Sequence, residues 1–339
     1  PCAPSESASP LCFSDIMAPY LAALKASVDK TTIEAASLRV VVDPLFGAGR
    51  YYLTMMLREL GVEVTEVNGE TDPTFNGLHP EPIMPWVRVG AEAVVALGCD
   101  ACFITDGDAD RIGAIDDEGT YVSSHRLLAL LIGHLVENRG QSGRVVRTRA
   151  GSNLLRRQCD RLGLDLTTKP IGFKWIYEEM LKGDVLIGGE ESGGIGVPAH
   201  VRERDGLLMA LMLAELMAQK GKNLRELVDD LSAELGTLEY ARRDLRLTAE
   251  QKDALLATHI DTDELSADAY RGLFVALAED LVSLSRGDGI KFDFASDAWL
   301  LVRPSGTEPL VRVYAEAADA EQVQALLDIG CALAQGEIA

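Results

Sequence analysis

No stretch of these 339 residues stays apolar for the thickness of a bilayer, and the opening residues from Pro1 show no basic-then-apolar leader. A membrane span and a secretory route are therefore not expected, and a cytoplasmic location is. Basic residues are scarce: 32 Lys and Arg stand against 53 Asp and Glu, a net charge of -21. Such a field repels nucleic acid and anionic membrane, so neither is an expected partner. An anionic substrate would need local clusters of Arg and Lys. Cysteine is also sparse, six scattered residues, as in a protein kept reduced. Cys99 and Cys102 form a C-x-x-C, but no second Cys or His pair completes a zinc site. Residues 101–105 read as a buried strand, so inert core thiols are the plainer reading.

What is present is a rhythm. Residues 1–14 are rich in Ser, Pro and Ala and read as a disordered lead-in. Residues 16–28 have a helical pattern, 38–42 are a β-branched run, and a Gly-bearing turn at 46–50 leads into a helix ending at Leu60. A strand over 62–67, a helix over 85–97 with proline in its first turn, and a strand over 101–105 follow. The order then repeats: strand 145–147, helix 153–162, strand 164–168, helix 172–181, strand 185–187. In both repeats the third strand runs into an acidic loop, at Asp106 and at Glu190, where open α/β sheets place their ligands. Asp205 is the expected N-cap of an apolar helix over 206–218, and a helix over 224–235 closes the unit. The reading is two tandem three-layer α/β/α domains with mixed sheets, 15–122 and 123–238, then a smaller α+β domain over 239–339. Short linkers bring the three around a shared cleft.

Three motifs carry chemistry. In Thr105-Asp106-Gly-Asp108-Ala-Asp110-Arg111, three carboxylates at alternate positions can converge on one hard cation. A calcium EF-hand loop would place Asp117 at its twelfth position, but its sixth would be Arg111 rather than Gly, and the flanks read as strands. In Gly188-Gly-Glu190-Glu191-Ser192-Gly193-Gly194, carboxylates and a hydroxyl suited to sugar hydroxyls sit in a backbone able to approach a ligand closely. In Arg303-Pro-Ser305-Gly306-Thr307-Glu308-Pro, with Arg312 on the next strand, amides, hydroxyls and guanidinium groups suit a phosphate. Gly172-Phe-Lys174 opens a helix whose amides and ammonium suit an anion. His200, Arg202 and Arg204 add positive charge after the second acidic loop.

In this order the motifs resemble the α-D-phosphohexomutase superfamily, from about Asp15 to the C-terminus. The superfamily has four domains, and this chain is similar to the second, third and fourth. The resemblance implies a magnesium site at Asp106, Asp108 and Asp110, with Arg111 beside the transferring phosphoryl group. It implies sugar contacts from Glu190 and Ser192, a phosphate grip from Arg303, Ser305, Gly306, Thr307 and Arg312, and a substrate-facing Lys174. The implied reaction moves a phosphoryl group between the 1- and 6-positions of a hexose phosphate through an enzyme phosphoserine and a bisphosphorylated intermediate. The Thr/Ala-Ser-His-Asn-Pro loop that carries this serine is not found. Ser7-Ala-Ser9-Pro10 lacks the His-Asn, and Ser123-Ser124-His125 reads as a helix N-cap. The first domain is thus expected to be absent here or supplied elsewhere, leaving this chain inactive alone. Gly194 stands where the glucosamine-type loop usually has His, which favours glucose or mannose phosphates. A non-catalytic sugar-phosphate binder, a phosphoglucosamine mutase and, more weakly, a metal-dependent phosphatase are the alternatives.

Overall fold

The computed structural model describes residues 15–261, 266–277, 279–305 and 310–338. The expected lead-in, and Gly306 and Thr307 of the phosphate motif, lie outside the described residues.

The first sheet comprises β1 (Arg39–Asp43), β2 (Glu63–Glu66), β3 (Ala101–Thr105), β4 (Ile112–Asp116) and β5 (Tyr121–Val122), in the order β2-β1-β3-β4-β5. β1 runs parallel to β2 and β3, while β4 turns back antiparallel to β3. The second sheet repeats the plan: β6 (Arg144–Thr148), β7 (Leu166–Lys169), β8 (Val185–Gly189) and β9 (Ile195–Gly196) lie in the order β7-β6-β8-β9, with β9 antiparallel. β3 and β8, buried throughout, and β1, buried after Arg39, have the apolar runs that strands covered on both faces require. The C-terminal domain is antiparallel throughout: β10 (Glu239–Arg246), β11 (Leu281–Ser285), β12 (Ile290–Phe294), β13 (Trp299–Pro304) and β14 (Leu310–Ala317), ordered β10-β14-β13-β12-β11.

The helix Gly206–Lys220 is capped as expected, Asp205 accepting from the Leu208 amide at 2.9 Å. It is buried from Gly206 to Met217 and apolar on every face apart from Glu215, which pairs with Arg139, because it packs on β3 and β4 of the first sheet as well as on neighbouring helices. Its residues and both sheets share one continuous core, whereas the C-terminal domain has its own.

Most expected boundaries shift by one to three residues, two of them for a visible reason. The helix expected over 85–97 starts at Arg88; Pro85 precedes it, in a turn closed by the Trp86 amide on the Ile83 carbonyl. The strand expected from Leu164 starts at Leu166, because the Leu164 amide satisfies the Cys159 carbonyl at the end of the preceding helix. Cys99, Cys102, Cys159 and Cys331 are free and buried.

Candidate active site

β3 delivers the first acidic loop at its C-terminal end, flanked on the other side by β4. Strands on both sides rule out the helix–loop–helix frame of an EF-hand, and Asp117 turns away to pair with Arg225 at 3.4 Å. Ala109 adopts a left-handed φ of 66°, a conformation costly for a residue with a Cβ and typical of functional loops. The loop that results brings one oxygen each from Asp106, Asp108 and Asp110 within 4.8 Å of one another. Asp106 is buried, Asp108 exposed.

The carboxylates are only partly neutralised. The Arg111 amide donates to Asp106 Oδ1 at 3.0 Å, and its Nε lies 3.4 Å from Asp106 Oδ2 and 3.8 Å from Asp110 Oδ1. Asp110 Oδ1 is buried and accepts no hydrogen bond. Burial pushes the Asp106 carboxyl up to about 7; the Arg111 amide opposes the rise, and the Asp110 and Asp108 charges add to it. Burial raises Asp110 as well. Three carboxylate oxygens that converge on groups whose charges resist crowding fit a hard divalent cation.

The second acidic loop docks directly on the first. The Ile112 amide donates to the Gly193 carbonyl at 3.0 Å, Arg111 bridges to Gly194, and the Gly206 amide donates to the Ala109 carbonyl at 3.1 Å. Gly193 has a φ of 95°, and a Cβ there would fall 2.4 Å from the Ile112 carbonyl oxygen, so only glycine allows this approach. Within the loop, Glu190 is buried. Burial and the neighbouring Glu191 push it up to about 7, against Arg204, whose Nη1 is 3.3 Å from its Oε2. Glu191 accepts from Thr148 Oγ1 at 2.8 Å.

A cavity of about 800 Å³ opens between the three domains, of a size to enclose a small polar ligand. Arg111 lines it from the first domain, Ser124, Glu191 and Ser192 from the second, and Arg242 and Arg312 from the third. Of the residues singled out in the second acidic loop, Ser192 lines the cavity and Glu190 does not, while its neighbour Glu191 does. On the C-terminal sheet Arg303 and Arg312 sit directly opposite each other across β13 and β14. Like charges so placed repel unless an anion joins them. Arg303 Nε lies 3.4 Å from Asp288, and Arg312 Nε lies 3.9 Å from Asp244. Ser305 is buried at the end of β13, its amide donating to the Leu310 carbonyl at 2.8 Å. Lys174 is exposed, its ammonium 4.8 Å over the Trp175 ring, and is not among the residues lining the cavity.

Sequence reasoning overlooked Arg242, which lies 3.9 Å from Glu81 of the first domain, and His125, both on the cavity wall. Arg242 carried no motif. His125 stood in a helix N-cap box whose first serine does cap, accepting from the Arg126 amide. Burial pushes the His125 imidazole down to about 3, so it is neutral, edge-on to Tyr240 at 4.6 Å.

Comparisons with known proteins agree along the whole described chain. Residues 18–119 match the family model "Phosphoglucomutase/phosphomannomutase, alpha/beta/alpha domain II", residues 123–235 match domain III, and residues 245–329 match the C-terminal domain. A phosphoglucomutase/phosphomannomutase of Thermococcus kodakarensis is 34% identical over 319 residues, covering 94% of this chain and 65% of that protein. A phosphoglucosamine mutase of Carboxydothermus hydrogenoformans is 32% identical, covering 89% and 62%. The chain thus spans somewhat under two thirds of the length of these relatives. Among solved structures, a Thermus thermophilus protein described as a phosphomannomutase superposes with a TM-score of 0.78 at 35% identity, over 94% of this chain and 66% of the other. The Paramecium phosphoglucomutase parafusin, at 20% identity, has the same fold, with a TM-score of 0.77 over 94% and 63%.

Proposed function

The chain belongs to the phosphoglucomutase/phosphomannomutase family, and we propose that it holds the metal, sugar and phosphate sites of a phosphohexomutase that moves phosphoryl between the 1- and 6-positions of a hexose phosphate. The observation that carries this reading is the convergence of Asp106, Asp108 and Asp110 beside Arg111, against a loop that presents Glu191 and Ser192 to a cavity shared by three domains.

Asp106, Asp108 and Asp110 would hold magnesium, which when bound offsets the negative charge of a transferring phosphoryl group. Arg111, anchored by its amide to Asp106, directs its guanidinium to the same place. Ser192 and Glu191 give and accept hydrogen bonds with vicinal hydroxyls, and buried Glu190 supports the loop behind them. Arg303 and Arg312, opposed across two strands, grip the phosphate that does not react. Lys174, exposed and off the cavity wall, has no role in this arrangement of the domains. Gly194 in place of a histidine favours glucose or mannose phosphates over glucosamine phosphate. The buried free thiols and the acidic net charge suit a cytoplasmic enzyme that binds neither nucleic acid nor membrane, and no helix among the described residues is long and apolar enough to cross one.

The phosphoserine would come from a domain outside this chain, so we expect the chain alone to bind sugar phosphate without sustained turnover. Ser123 is committed as a helix cap and the Ser124 hydroxyl to the Glu191 carbonyl, at 2.6 Å, so neither offers a free nucleophile. A coupled mutase assay with glucose 1,6-bisphosphate as primer tests this. Turnover that tracks the purified chain would show a nucleophile within it. Calorimetric titration with magnesium tests the metal site, and equal binding by wild type and Asp108→Asn would defeat it.

A further inference from the structure

Arg204 crosses the seam between the two acidic loops. Its Nη2 lies 2.6 Å from Asp110 Oδ2, its Nη1 3.3 Å from Glu190 Oε2, and its Nε 3.6 Å from Glu203. The guanidinium rests on the Phe173 ring, 5.5 Å from its centre, which fixes its height above the loops. The route is open only because residue 194 is glycine. A Cβ there would fall 2.3 Å from Arg204 Cδ and 3.0 Å from Glu190 Oε2. The φ of Gly194 lies outside the range that L side chains avoid, so the requirement is for space alone.

Asp110 is thereby divided. Oδ2 is taken by Arg204, while Oδ1 is buried without a hydrogen bond, with Arg111 Nε 3.8 Å away. We infer that Arg204 is a resident counter-ion of the acidic triplet: its charge opposes a divalent cation, and that cation loosens its hold on Asp110 on binding. This rests on the reading of the triplet as a metal site. A guanidinium and a metal ion on one carboxylate repel each other, and the part-buried setting lets little water screen them. Arg204 therefore stabilises the metal-free loops and holds metal affinity down. Once loosened from Asp110 it stays tethered through Glu190, at the edge of the sugar loop, where its charge can serve an anionic ligand. Arg204 is a positioning residue in this account: it acts through Asp110 and Glu190.

The test is calorimetric titration of the chain with Mn²⁺ alone, comparing wild type, Arg204→Met, Arg204→Lys and Gly194→Ala. Removal of the charge in Arg204→Met should tighten Mn²⁺ binding about three- to tenfold. Arg204→Lys, keeping the charge, should stay near wild type. Gly194→Ala should tighten binding by pushing the arginine stem off its route, with no charge removed. A merely structural arginine would give weaker binding in Arg204→Met, and that result, or an unchanged affinity, overturns the inference. Should Arg204→Met fail to fold, wild-type affinity in Gly194→Ala overturns it equally. If wild type binds no Mn²⁺, or binds it independently of Asp108, the metal reading falls and this inference with it. If binding depends on Asp108 and Arg204→Met does not tighten it, only the role of Arg204 falls.

Discussion

The three domains meet at two junctions made of opposite materials. Between the two α/β units the junction is apolar and continuous: one core runs from Leu24 through Phe103 and Leu213 to Leu238. Between the second unit and the C-terminal domain it is largely polar. Glu316 accepts from the Asn153 amide at 2.7 Å and from the Trp299 indole at 2.9 Å. Lys291 donates to the Arg149 carbonyl, Arg149 reaches Asp288, and Arg157 reaches Asp297. Only a small apolar cluster, Ala150 with Trp299, Leu301 and Tyr314, lies among them. Apolar burial is non-directional and tolerates no water, whereas hydrogen-bonded contacts can be exchanged for water at modest net cost. The two acidic loops thus sit on one fused block, and Arg303 and Arg312 sit on a separately cored body docked against it.

The sharpest way to break this comparison is to cut the shared core. Leu213→Ala, in the fully buried helix, should cost about 2–5 kcal/mol and lower the melting of both α/β units in one transition. Two separated transitions would show that the units are not fused. Next in size is the polar junction: Glu316→Ala strands two buried donors, each worth about 1–3 kcal/mol. Hydrogen exchange should rise in β13, β14 and the 236–239 connection while the cores of the α/β units stay protected. Third, Arg303→Ala should weaken glucose 1-phosphate binding by about 1.5–3 kcal/mol and leave magnesium affinity unchanged. A parallel loss of both in titrations would tie the docked body to the metal site.

The smallest effect is one of pH, and it acts on the two acidic loops alike, since Asp106 and Glu190 are both pushed up to about 7. A carboxyl raised above its ordinary value favours the fold in its neutral form. That contribution is present below the ordinary carboxylate range and is lost as pH rises through about 7. A cation needs the anion, so its affinity runs the other way, falling up to about tenfold per pH unit below 7. Without divalent ion the α/β block should melt lower at about pH 8 than at about pH 5, and magnesium should narrow the gap. A melting temperature flat across that range would remove the argument.

Much of this was readable in the residues. β-branched runs, Gly turns and capping residues gave the doubled unit, and the helix Asn153–Leu162 falls where its pattern and its Ser152 cap require. Carboxylates at the ends of β3 and β8 announced both loops. The shared core was not readable, because a helix apolar on nearly every face says that it is buried but not against which sheet. Nor was the placement of Glu190 and Glu191: which of two adjacent carboxylates lines a cavity depends on the docking of another domain's loop. Arg204 appeared only as positive charge nearby, its partner Asp110 being 94 residues away along the chain and in a different domain.

The helix Gly206–Lys220 also bears on how the chain comes to be folded. It covers β3 and β4, whose last residue precedes it by roughly 90 positions, so the first sheet keeps an apolar face bare until that helix has been made. At about 5–20 residues per second a ribosome needs on the order of 5–20 s to supply it. During synthesis the first of the two α/β units is therefore an unfinished half, open to chaperones and to self-association, and the two units mature together.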